Sequence, residues 1–304
     1  MDQRHIIFVP GKNPKPAPDQ HHALLWRTLV EGVHRAEPQV ANNLSQHIEN
    51  FKLIAWNYLY YHRRKDINRD LPWIDALMNQ HSPSEQDIQD ASSTHRKLNR
   101  FLYNVIDHLP FLLKLLPADL QSTAGELQRY FQNKNNVACE IRELLKQQLR
   151  PLLQNEDNVL LIGHSMGSII AYDTLWELSH LEELPGKIDF LTIGSPLGMN
   201  YVQHRLMGNK YKGKKKYPSN IRNWVNIYSE GDVTALDRIF PDDFSEMSKL
   251  EIVKSIEDHC EGIYNFFHNE KGLNCHRSYG YLVNPAVGKV IADWWKNTAE
   301  IEVT

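Results

Sequence analysis

The residues best suited to chemistry stand together in Gly163-His164-Ser165-Met166-Gly167. They follow Asn158-Val-Leu-Leu-Ile162, an unalternating apolar run that reads as a buried strand, and lead into Ser168-Ile-Ile-Ala-Tyr172, the start of an apolar helix. A serine on so sharp a strand-to-helix turn takes strained backbone angles. Small residues two before and two after it let strand and helix pass closely. Gly163 and Gly167 are those residues. Such a turn lifts the Ser165 hydroxyl from the carboxyl edge of a sheet and aims the free N–H groups of the next helix at the same point. The chemistry this suits is attack by a hydroxyl, with the developing negative charge received by backbone donors.

The turn needs a sheet around it. Short runs rich in Val, Ile, Leu and aromatics occur at Ile6 to Val9, Phe51 to Trp56, Val159 to Ile162, Phe190 to Ile193 and Trp224 to Tyr228, and predict parallel strands covered on both faces. Helical patterns lie between and after them. Asp19 is placed to cap a helix through Ala36, and apolar spacing predicts helices over Cys139 to Leu153, Gly167 to Leu178 and Pro285 to Lys296. The alternation predicts an α/β fold, a doubly wound and mostly parallel sheet with right-handed crossovers. The stretch between the second and third strands, residues 60–157, exceeds what one crossover requires. Within it Pro72 marks a helix start, and Ser84 with Asp87 forms a capping box. Leu98, Phe101, Leu102, Val105, Ile106 and Leu109 recur at helical spacing, part of an apolar stripe from Phe101 to Leu116. These predict an inserted helical cap over residues 63–136, with a core made of 1–62 and 137–304, and an apolar cap face would suit an acyl chain.

The strand, the Gly-His-Ser-Met-Gly turn and the helix together resemble the α/β-hydrolase superfamily, in a form common among its lipases and esterases, over residues 4–62 and 137–299. The resemblance implies a reduced core, because the chain begins at what resembles the family's third strand and its usual first two antiparallel strands are missing from the pattern. It also implies a triad in the order Ser, acid, His. Ser165 would be the nucleophile. Asp232, just past the strand ending at Tyr228 and preceded by Gly231, suits the acid, with Asp237 as the alternative. His276, in the loop before the final helix, suits the base, with His268 and His259 competing for the role. The oxyanion donors carried over are the backbone N–H groups of Met166 and of Lys12. The latter lies in Pro10-Gly11-Lys12, where the family usually reads His-Gly-x. The implied activity is that of a serine hydrolase cleaving a carboxylic ester or thioester through an acyl-enzyme. An acyltransferase or amidase would use the same triad, and a non-catalytic binding protein could retain the same fold.

Composition narrows the partners. The 304 residues carry 34 Lys and Arg against 37 Asp and Glu, a net charge of −3, which leaves no global basic field to hold nucleic acid. No apolar run approaches the ~18 residues that span a bilayer, and the opening residues hold too short an apolar run for a signal peptide, which together read as a cytoplasmic chain. Cys139, Cys260 and Cys275, odd in number and widely spaced, read as reduced thiols. His259, Cys260, His268, Cys275 and His276 match no zinc spacing, so neither metal nor cofactor is expected, only a small-molecule ester or acyl substrate. The basic run Lys210 to Lys216 reads first as a solvated loop. Its place after the fourth strand makes a contact for an anionic substrate or a membrane surface the second reading.

Overall fold

The computed structural model describes residues 4–94, 96, 118–233 and 240–301. Six strands form one sheet in the order β2-β1-β3-β4-β5-β6: β1 (Arg4–Val9), β2 (Phe51–Leu53), β3 (Asn158–His164), β4 (Ile188–Ile193), β5 (Ile221–Ile227) and β6 (Ser255–His259). Every neighbouring pair is parallel. The chain is therefore an α/β protein built on a parallel sheet flanked by helices.

The apolar runs of β1 and β3 divide by parity. Ile7, Val9, Val159 and Leu161 enter one core with Ile141, Leu145, Ile169 and Leu175 of the helices Val137–Gln154 and Met166–His180. Ile6, Phe8, Leu160 and Ile162 enter a second core with Leu25, Leu29, Val287 and Ile291 of the helices Pro18–Ala36 and Pro285–Ile301. Side chains of successive strand residues point to opposite faces, so a run apolar at every position must be covered on both.

Two expectations need correction, and the sheet holds one strand beyond the five expected. β2 ends at Leu53 rather than Trp56, because Trp56 already has helical backbone angles and starts the helix Asn57–Tyr61. Asp19 does not cap the first long helix. That helix begins at Pro18, a residue whose fixed φ suits a first turn, and Asp19 sits inside the turn where its charge favours the dipole. The sixth strand, Ser-Ile-Glu-Asp-His, carries one aliphatic residue and forms the sheet edge, where charged side chains are the usual content. The Ser84–Asp87 capping box is present as read, opening the helix Glu85–Ala91, and Pro72 lies in the first turn of the helix Leu71–Asn79. The stripe Phe101 to Leu116 lies outside the described residues. Among the described residues no helix is long and apolar enough to cross a membrane.

The two long helices of the second core cross almost backbone to backbone. A Cβ on Gly288 would lie 1.9 Å from the carbonyl oxygen of Gly32, and one on Gly32 would lie 1.9 Å from that of Leu282. Neither neighbour is a side chain that could swing aside. Gly288→Ala should therefore force the helices apart and cost about 2 kcal/mol or more of stability, read as a lower midpoint in urea unfolding.

Candidate active site

Ser165 connects β3 to the helix Met166–His180 with φ 54° and ψ −128°, a conformation that a residue with a side chain rarely takes. Its surroundings hold it there. The Ser165 N–H donates to the Ile193 carbonyl at 3.1 Å, and the Ser165 carbonyl accepts from the Ser168 N–H and, at 2.6 Å, from the Ser168 hydroxyl. A Cβ on Gly167 would lie 2.1 Å from the Val9 carbonyl oxygen, and one on Gly163 would lie 2.7 Å from Cα of Ser168. The helix can approach β1 at Gly167 and β3 at Gly163 this closely only because these positions lack a side chain.

The structure brings three of the sequence candidates into hydrogen-bonding contact. The Ser165 hydroxyl lies 2.8 Å from Nε2 of His276, and Nδ1 of His276 lies 2.8 Å from Oδ2 of Asp232. Asp232 is 2% exposed, while the His276 side chain keeps 23% of its surface, so the chain of bonds opens to solvent on the histidine side. The competing histidines are elsewhere. His268 Nε2 is 2.6 Å from Oδ1 of Asp87 in the capping box, and His259 stands half-exposed on β6, 3.5 Å from Glu257. Asp237 lies outside the described residues.

Four residues that the sequence did not point to complete the arrangement. The Tyr281 hydroxyl donates to Oδ2 of Asp232 at 2.6 Å and accepts the Ser229 N–H at 2.9 Å. Gly194, at φ 54°, leaves the space that a Cβ would fill 3.0 Å from Oδ2 of Asp232 and 3.1 Å from Nδ1 of His276. Asn265 donates to the Arg277 carbonyl and, through its N–H, to the Ser229 hydroxyl, joining the acid loop to the histidine loop. His164 lies beneath. Its Nε2–H donates to the His276 carbonyl at 2.9 Å, which leaves Nδ1 as a buried acceptor without a partner. The signal for Tyr281 was its place five residues after His276, in a segment with two tyrosines, but both are buried and spacing alone does not tell which one reaches Asp232.

The loop carrying the other expected donor is fixed as firmly. Trp56 Nε1 donates to the Pro10 carbonyl, and Asn57 Nδ2 donates to the carbonyls of Gly11 and Asn13. A Cβ on Gly11 would lie 2.9 Å from Cβ of Ser165 and 2.8 Å from Nδ1 of His164, so Gly11 is the point where this loop meets the turn. Lys12 follows it, with Nζ 3.5 Å from the Glu126 carboxylate. Met166 is the first residue of the helix, with a backbone N–H that no intrahelical carbonyl can accept.

The lysine run does not share this edge. Trp176 Nε1 donates to the Lys215 carbonyl, His180 contacts the Tyr217 carbonyl, and Tyr211 stacks on Trp176 at 5.7 Å. Trp176 is ten residues along the helix from Met166, about 15 Å at 1.5 Å per residue. The run packs at the far end from Ser165.

No family model, curated protein or solved structure matches the chain. The geometry of the site is then the ground on which a function must be argued.

Burial, and after it the neighbouring His276 and Lys15, holds the His164 imidazole well below the ordinary histidine value of 6.5. His164 stays neutral when folded and takes a proton below about pH 6.5 when unfolded. Stability therefore falls as pH drops below that value, toward the depressed folded pKa, because the unfolded state binds more protons in that window. His164→Gln should remove about one proton from the slope of unfolding free energy against pH, as measured by urea titrations at several pH values. An unchanged slope would mean that another group controls the response.

Proposed function

We infer that the protein is a serine hydrolase that cleaves a carboxylic ester or thioester through an acyl-enzyme. The observation that carries this reading is the continuous chain of hydrogen bonds from Ser165 Oγ through His276 to Asp232, each of 2.8 Å. In the reaction, Nε2 of His276 takes the hydroxyl proton as Ser165 Oγ attacks the carbonyl carbon. The carbonyl oxygen becomes an oxyanion facing the backbone N–H groups of Met166 and Lys12. The same proton then passes from Nε2 to the departing alcohol or thiol. Water repeats the sequence on the acyl-serine and releases the acid. Asp232 accepts the Nδ1–H throughout, which fixes the tautomer with its lone pair toward Ser165 and steadies the imidazolium.

The same reading places the reaction on a reduced, doubly wound α/β-hydrolase core with residues 63–136 as a helical cap. Contacts from that segment support it. The Arg96 guanidinium donates to the carbonyls of Gly231 and Leu273, in the two loops that hold Asp232 and His276. A Cβ on Gly231 would lie 2.6 Å from the Ala91 carbonyl, and Glu126 meets Lys12 of the oxyanion loop. An insertion touching all three loops is placed to wall the acyl pocket, which favours hydrophobic acyl chains over acetyl.

Labelling with a fluorophosphonate probe and mapping the modified peptide tests the nucleophile. Ser165→Ala should lose the label, lower kcat for a short-chain nitrophenyl ester by several orders of magnitude and keep the wild-type unfolding midpoint. Undiminished turnover would sink the reading. Tyr281→Phe keeps the ring and removes the donor to Asp232. It should lower kcat about tenfold with little change in KM, because the hydroxyl orients the acid and does not touch substrate. A change confined to KM would contradict that assignment.

A further inference from the structure

Positive charge is concentrated beside the oxyanion loop without matching acids. Lys15, half-buried, donates from Nζ to the Lys12 carbonyl at 2.9 Å and has no carboxylate within 4 Å among the described residues. Lys65 and Arg277 share a single carboxylate, the buried Asp70, and Nε of Arg277 is buried without a partner. Arg277 directly follows His276 in the chain. Three cations thus face one anion next to the reacting groups. Burial pulls the Lys15 ammonium well below the ordinary lysine value, and the charges of Arg277 and Lys65 add to this.

Lys15, His21, Asn57, Tyr58, Arg63 and Arg64 line one narrow cleft. Arg63 and Arg64 are exposed; Arg64 has only the Tyr58 ring beside it, at 5.3 Å, and neither makes a hydrogen bond or ion pair among the described residues. Asn57 ties the cleft to the site, since its Nδ2 holds the Gly11 and Asn13 carbonyls while its buried Oδ1 has no partner. A cation left unneutralised in partly buried surroundings is costly to the fold, and an anionic oxygen entering the cleft removes that cost. Arginine suits the task, because its fork of N–H groups matches the oxygens of a phosphate or carboxylate.

We propose that this cleft binds a phosphate or carboxylate carried by the substrate at the end remote from the scissile carbonyl. The inference rests on the hydrolase reading for its substrate, while the anion site itself is measurable without turnover. It also differs from the lysine run, which lies at the other end of the helix Met166–His180.

The test uses nitrophenyl esters of one acyl chain length that end in a methyl, a carboxylate or a phosphate. The wild type should favour at least one anionic ester over the methyl ester by about tenfold in kcat/KM, and raising ionic strength from about 0.05 to 0.5 M should erode that preference. The preferred ester tells phosphate from carboxylate. Arg63→Gln/Arg64→Gln should reduce the preference about fivefold or more, mostly through KM for the anionic ester. Both side chains are exposed and unpaired, so the variant should fold. Separately, inorganic phosphate or acetate should raise the Tm of Ser165→Ala, and the rise should shrink when the two arginines are also replaced. Equal KM changes for charged and neutral esters, or a Tm rise that survives replacement of both arginines, would overturn the proposal. A protein that takes no fluorophosphonate label and hydrolyses no ester, yet loses its anion-induced Tm rise with the arginines, would overturn the hydrolase reading and keep the anion site.

Discussion

The carboxyl edge of the sheet depends on one backbone conformation, that of Ser165. A residue with a Cβ at φ 54° and ψ −128° costs on the order of 1–3 kcal/mol and persists only where its surroundings over-determine it. Here they do. β3 delivers the residue, with Gly163 in register with Val9 of β1. The Ile193 carbonyl of β4 accepts its N–H, and Ser168 takes up its carbonyl twice, from backbone and side chain. The Ser168 hydroxyl also contacts that of Ser195 at 2.7 Å, which ties the turn to the segment after β4. Because three strands and a helix fix this turn, the direction of the Ser165 hydroxyl is a property of the sheet as a whole.

Fixing the hydroxyl is of no use unless the imidazole arrives at the same point, and that is arranged by polar contacts among loops. Each partner is used in one direction. Tyr281 gives its proton to Asp232 and its lone pair to Ser229, so its position determines both the carboxylate and the backbone leading to it. His164 gives its proton to the His276 carbonyl and, being neutral, brings no second buried charge beneath the site. Asn265 closes the ring between the two loops. A buried polar network specifies geometry only when its members are satisfied. The unpartnered Nδ1 of His164 is the exception, and it faces Gly11, the residue by which the loop after β1 touches the turn.

What was legible in the sequence follows from how local each cause is. Ser165 and its two glycines form a steric unit within five residues, so spacing alone exposes it. Four of the five expected strands overlap their observed spans closely, because burial on both faces demands apolar residues at every position. β6 was not legible for the opposite reason: an edge strand keeps charged side chains, and Glu257, Asp258 and His259 resemble loop content. The roles of Tyr281 and His164 were hidden because their partners lie 49 and 112 residues away, and nothing in local spacing encodes such a pairing. The lysine run illustrates the same limit. Its place after β4 made the substrate edge the second reading beside a solvated loop, but the connection turns back along the helix and settles on Trp176.

Electrostatics around the proposed reaction then has a consistent sign. His164 and His21 are both held neutral, chiefly by burial and further by the nearby positive charge of Lys15, with Arg277 also acting on His21. The field that discourages a second positive charge beneath the site is the one that favours a negative charge within it. An oxyanion forming between the N–H groups of Met166 and Lys12 would lie in that field. In the proposed reaction the excess of Lys15, Lys65 and Arg277 over Asp70 therefore acts twice. It attracts an anionic substrate before chemistry, and it lowers the energy of the charge that chemistry creates, provided the bound anion stays far enough from the carbonyl to leave part of the field uncancelled.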